Sequence, residues 1–182
     1  DPLDPTSDKE VVDIATEQDL VKSDAVADAV RKELGLEVDN RTLLRQVAVT
    51  SKEESLVLEI TFEAAGADEA MDGANAFADA YIAQRRADAA GTIETRLATI
   101  RQQIDFTRLA LNDARISGDQ AAIAEFQTQL NSLNTSYAAI TAIDTADVGR
   151  VVRRVTTPPE AVLSKMALGK SVGVVGLCLL AG

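Results

Sequence analysis

Between Ala67 and Ile116 the chain carries no proline, and glycine occurs only at positions 73 and 91. Alanine, arginine, glutamine, leucine and isoleucine dominate, which favours continuous helix. Within this stretch Ile93, Leu97, Ile100, Ile104, Thr107, Leu111 and Ala114 step by alternating fours and threes, the spacing of a coiled-coil seam. "SGDQ" at 117–120 interrupts the helix, with Asp119 placed to cap the next one. Ile123, Phe126, Leu130, Leu133, Tyr137 and Ile140 then repeat the step. Two seams joined by a tight turn predict an antiparallel helical hairpin over 67–145. At about 1.5 Å per residue, a helix of roughly 50 residues is about 75 Å long. That exceeds a compact domain of this chain length, so the hairpin is expected to protrude.

The remaining residues must form its base. Residues 1–15, "DPLDPTSDKEVVDIA", open with turn formers and then place Val11, Val12 and Ile14 together. In "TEQDLVKSDAVADAVRKELG" helix starts stand at Thr16 with Asp19 and at Ser23. Val26, Val30 and Leu34 recur at helical spacing, and Gly35 is a stop signal. One helix, kinked at Ser23, is expected. The period then falls to two: Val47 and Val49 alternate with polar residues. So do Leu56, Leu58, Ile60 and Phe62 after the charged turn at Lys52–Glu54, which reads as an antiparallel strand pair. "DVGRVVRRVTTPP" reads as a short strand ending at Pro158. Pairing with the earlier strands, it would bring chain start and chain end to one pole. The predicted fold is therefore α+β: a base over 1–66 with a small mixed sheet, the hairpin over 67–145, a return strand and proline break over 146–160, and a terminal segment over 161–182.

That terminal segment has no charge from Ser171 to Gly182 and carries glycines at 173, 176 and 182. A membrane span needs roughly 20 apolar residues, and this run is shorter. A buried helix would show polar residues at helical intervals, whereas none follows Ser171. Gly169 and Gly173 give the small-residue spacing of packed membrane helices. The expectation is the start of a truncated transmembrane helix, in a chain that begins without methionine and reads as part of a longer gene product.

Composition narrows the function. A formal charge of −11 argues against nucleic acid, whose phosphates require clustered Lys and Arg. Histidine is absent and Cys178 is the sole cysteine, so the commonest metal ligand and general base are missing. "GKS" at 169–171 lacks the upstream glycine and strand of a phosphate-binding loop. Glu53 and Glu54 read as a charged turn, and the acidic residues along the helices as solvated faces. No catalytic, cofactor or metal residues are expected, and an enzymatic role is not. "VGRVVRRV" concentrates Arg150, Arg153 and Arg154 in an acidic chain. These arginines, with the hairpin faces, are candidates for subunit contact; the arginines also suit anionic head groups, an acidic neighbour, or the guarding of an edge strand.

The order of these pieces resembles the Wzz-type chain-length determinants, or polysaccharide co-polymerases, including the membrane-adaptor part of bacterial capsule tyrosine kinases. The resemblance covers essentially the whole chain. Its most specific stretches are "TEQDLVKSDAV" and "ANAFADAYIAQRR", where Asn75, Ala76 and Tyr81 fall on the family's Asn-Ala-x-Ala-x-x-Tyr pattern. A third is the proline and glycine segment before a second span, carried here by Pro158, Pro159, Lys165, Gly169, Gly173 and Gly176. The family usually spreads its prolines through this segment, whereas here two are adjacent. The resemblance implies an extracytoplasmic, membrane-proximal domain at the bacterial inner membrane, associating in homo-oligomeric rings. It implies a Wzy-type polymerase as partner, the lipid bilayer as anchor, and control of lipopolysaccharide, exopolysaccharide or capsule chain length. In kinase-coupled members a cytoplasmic tyrosine kinase is also a partner, and a kinase domain can follow this segment. Two other readings stay open: the sensor region of such an autokinase, and a periplasmic-adaptor-like hairpin of a transport system.

Overall fold

A computed structural model describes residues 13–51, 57–145, 150–151, 154, 156 and 171–179. The chain forms two compact units, Asp1–Arg86 together with Ala146–Gly182, and Ala87–Thr145. The division falls inside one long helix.

In the first unit the predicted kinked helix is two helices, α1 (Ile14–Val21) and α2 (Asp24–Leu34). Asp13, not Thr16, caps α1: its carboxylate accepts from the Ala15 N–H at 3.1 Å and from the Thr16 hydroxyl at 2.9 Å. Ser23 restarts the chain by accepting from the Val26 N–H. Gly35 ends α2 at φ 63°, in the left-handed conformation where a side chain is strained. A short helix, α3 (Asn40–Leu44), follows behind Asp39 as cap and was not predicted.

Strands β1 (Val47–Ser51) and β2 (Val57–Ala64) pair antiparallel, with Val47 opposite Phe62 and Ser51 opposite Leu58. Helix α4 (Ala67–Ser117) packs its first turns on β2. Gly73 makes this approach possible, since a Cβ there would lie 2.3 Å from Cδ1 of Phe62. The Phe62 and Phe77 rings sit 5.8 Å apart above it. Leu58, Ile60, Phe77 and Tyr81 are essentially sealed from solvent, with Val21, Val26, Val30 and Leu43 closing the core from α1 to α3.

The terminal run departs from the sequence reading. Ser171–Leu179 is a strand and not the start of a membrane helix. With the two-residue return strand β3 (Arg150–Val151) numbered before it, this element is β4. It pairs antiparallel with β2, with Phe62 opposite Gly173 and Val57 opposite Leu179. The return strand β3 pairs with β4 and not with the first two strands. The sheet order is β1-β2-β4-β3 and every pairing is antiparallel, so the expected mixed sheet is also corrected. The physical reason lies in composition. Val172, Val174 and Val175 favour extended backbone, Gly173 and Gly176 disfavour helix, and a continuous apolar run carries no period to separate strand from helix. Among the described residues no helix is long and apolar enough to cross a membrane.

The second unit contains the rest of α4 and helix α5 (Gln120–Thr141). The turn between them follows from two residues. Gly118, at φ 74°, lets the Asp119 N–H reach back to the Ala114 carbonyl at 3.0 Å. Asp119 then caps α5 through the Ala121 and Ala122 N–H groups. The seam falls where the spacing placed it. Ile104, Thr107, Leu111 and Ala114 are buried, while Ile93, Leu97 and Ile100 are half-buried. On α5 the six seam residues are all half-buried and none is fully covered. Arg101 and Tyr137, nearly equidistant from Gly118, fix the antiparallel register. The guanidinium donates to the phenol oxygen at 2.5 and 3.1 Å and lies 5.2 Å from the ring centroid.

Candidate interaction surface

Three groups of residues stand out once the fold is known, and each is set by a helix face. The first is on the buried side of α4. Tyr81 donates to Oε2 of Glu17 at 2.7 Å, and Nε of Arg85 lies 3.3 Å from the same oxygen. Tyr81 is fully buried and Glu17 only 6 % exposed, so the carboxylate is held inside the core by a phenol and a guanidinium. Tyr81 and Arg85 are one turn apart on α4, which is why both reach one carboxylate on α1. Nearby, Gln18 donates to the Ser51 hydroxyl at 3.4 Å, tying α1 to β1. The arrangement fixes α1 against α4 and β1. Of the family-motif residues, Ala76 and Tyr81 thus lie in the core, with Asn75 half-buried beside them.

The second group is the candidate arginines. Arg154 grips Asp79 of α4 in a two-pronged pair, Nη1 to Oδ2 at 2.6 Å and Nη2 to Oδ1. Both side chains remain partly exposed, 49 % and 39 %. The geometry therefore gives Arg154 an intrachain partner. Arg150 lies on β3, and Arg153 is outside the described residues. Pro158, Pro159, Lys165 and Gly169 are also outside them, as is the Glu53–Glu54 turn, while Gly173 and Gly176 lie on β4.

The third group is on the hairpin unit, whose faces the sequence offers as candidates for subunit contact. Phe106, Leu109 and Ile116 are 74 %, 68 % and 78 % exposed. Each stands two residues beyond a seam residue, and at about 100° per residue this places them on the opposite face of α4. The signal was in the sequence as a second apolar row beside the seam. Large apolar residues on a solvent face mark contact surfaces more often than single scattered ones do.

Elsewhere, a shallow depression beside Gly35 is lined by Asp28, Arg31, Lys32, Leu36 and Glu37. Arg31 there is engaged by Asp28 and Asn40 at 3.3 and 3.1 Å. Among the described residues no group of His, Cys, Asp or Glu has the arrangement of a metal site. No family model matches the chain, and no curated protein or solved structure is significantly similar to it.

Proposed function

We propose that this chain is a non-enzymatic polysaccharide co-polymerase domain, setting the chain length of a bacterial surface polysaccharide through oligomeric assembly. The observation that carries the reading is the pairing of a small α+β unit with a two-helix unit built on one unbroken 51-residue helix. The motif stretch "ANAFADAYIAQRR" supplies the part of that helix buried in the α+β unit. In this reading the hairpin projects from a membrane-proximal base at the inner membrane. Copies stand in a ring and present a surface to a Wzy-type polymerase or to the growing glycan. The mechanism is geometric, and it asks of the chain a long stiff element and a contact surface rather than a nucleophile or a cofactor. In the kinase-coupled variant of this reading the same domain is the adaptor for a cytoplasmic tyrosine kinase.

Deleting the gene and sizing the surface glycan is the direct test. A changed length distribution is expected; an unchanged distribution and amount overturns the reading. The transport-adaptor alternative predicts instead that glycan length is untouched while export of another substrate is lost.

A further inference from the structure

Gly91 stands inside α4 without a packing reason to be glycine. Its backbone is helical, the glycines of positive φ being Gly35 and Gly118 among the described residues, and a Cβ there would meet nothing within 4 Å. Gly73 on the same helix is the contrast, since the Phe62 ring leaves no room for a side chain there. An unpacked glycine in a helix interior only weakens it relative to alanine. The residues after Gly91 weaken it further. Of the nine from 91 to 99, Thr92, Ile93, Thr95 and Thr99 are β-branched, whereas the nine before them hold one such residue, Ile82.

The three threonines also act on the helix ladder directly. Their hydroxyls donate to the carbonyls of Asp88, Gly91 and Thr95, at 3.0, 2.9 and 3.1 Å. Each of these oxygens already serves a backbone N–H four residues on, and sharing of this kind bends helices. Glu94 and Arg96 add no compensating pair, because neither has an opposite charge three or four positions away.

Tertiary cover is missing over the same stretch. From Ala83 to Gln103 no residue of α4 is buried. The reason is where α5 stops. Arg101 lies against Tyr137, so Thr141, the last residue of α5, comes level with Leu97. Before Leu97 the helix has no helical partner along the seam. Thr107, Thr128 and Thr135 bond to their own helix carbonyls in the same way, but they lie where α4 and α5 run side by side. A helical stretch this short, without packing, is marginal in water.

We propose that Gly91–Thr99 is a built-in flexure, a point at which α4 bends while the turns on either side keep their packing. On one side Ala74–Ile82 belongs to the core of the first unit, and on the other Ile104–Ala114 is held by the seam. Poor helix formers, shared carbonyls and lost cover coincide in these nine residues. A bend there redirects the outer part of the helix without breaking a buried contact. The flexure is a property of the helix itself and holds whether or not the chain acts on a glycan.

Hydrogen exchange and distance measurement test it together. Amides from Thr92 to Thr99 are expected to exchange faster than those of Ala76–Ile82 and of Ile104–Ala114, in the middle of one continuous helix. Gly91→Ala should slow them roughly fivefold, the ratio that the propensity difference implies. Spin labels at Ala83→Cys and Gln102→Cys, both exposed positions, in a Cys178→Ser background lie 19 residues apart, about 28 Å along a straight helix. Electron–electron resonance should give a broad distribution between them, narrowed by adding Gly91→Ala, Thr95→Ala and Thr99→Ala together. The far-ultraviolet circular dichroism should show no loss of helix, since all three side chains added are small and exposed. Uniform protection along α4 would overturn the proposal. Fast exchange with the same narrow distribution in both proteins would mean fraying without bending, and would overturn it equally.

Discussion

Gly73 shows how one residue without a side chain sets the spacing of a whole layer. A Cβ at this position would fall 2.3 to 2.8 Å from three atoms of the Phe62 ring, and that ring is itself packed on Phe77. The ring cannot give way, so Gly73→Ala must push α4 off β2. Overpacking of this kind costs about 1–3 kcal/mol, and a denaturant titration should show the unfolding free energy falling by that amount through a lower midpoint with an unchanged slope. An unchanged midpoint would mean that α4 does not approach β2 this closely. Asp39 makes a different prediction. Its carboxylate accepts from the Thr42 hydroxyl at 2.8 Å and from the Thr42 N–H at 2.9 Å. Led by the hydroxyl bond, these hold its pKa below the ordinary value of 3.8. A lowered folded-state pKa adds stability that is present above the unfolded value and lost as pH falls through the folded one. Below about pH 3.8, then, stability should fall more steeply in the natural protein than in Asp39→Asn, which retains a cap that cannot titrate. Urea midpoints measured across that acid range decide it, and equal slopes would refute the role given to Asp39.

Elements declare themselves in sequence to the extent that a period or a cap marks them. The seam from Ile93 to Ala114 was legible because seven positions repeat one step, and Asp119 because a capping residue follows a glycine. Helix α3 has five residues, too few for a period, and only the Asp39–Thr42 cap signals it. Ser171–Leu179 misled because an unbroken apolar run reads alike as a buried strand or a membrane helix. The cluster around Glu17 was hidden for another reason: its members come from α1 and α4, 64 residues apart at Glu17 and Tyr81. No local pattern announces a contact that only tertiary packing creates. Tyr81→Phe tests what that contact does for the elements it joins. The change keeps the ring and deletes one hydrogen bond to a buried carboxylate, a bond worth about 1.5–3 kcal/mol. Thermal unfolding should register a loss of that size, and α1 amides should gain exchange with solvent. A neutral substitution would mean that Arg85 alone holds Glu17.

At the scale of the molecule the two units are built to different depths. The first surrounds Tyr81, Phe77, Leu43 and Leu58 on all sides, each with essentially no exposed surface. The second has four buried seam residues on α4, one of them Thr107, and none on α5. Two helices side by side can cover only one stripe of each other, and local stability follows buried apolar contact. Hydrogen exchange on dilute protein should therefore find α5 amides opening well before those of β2 or of α4 between Ala74 and Ile82. Uniform protection across both units would contradict this.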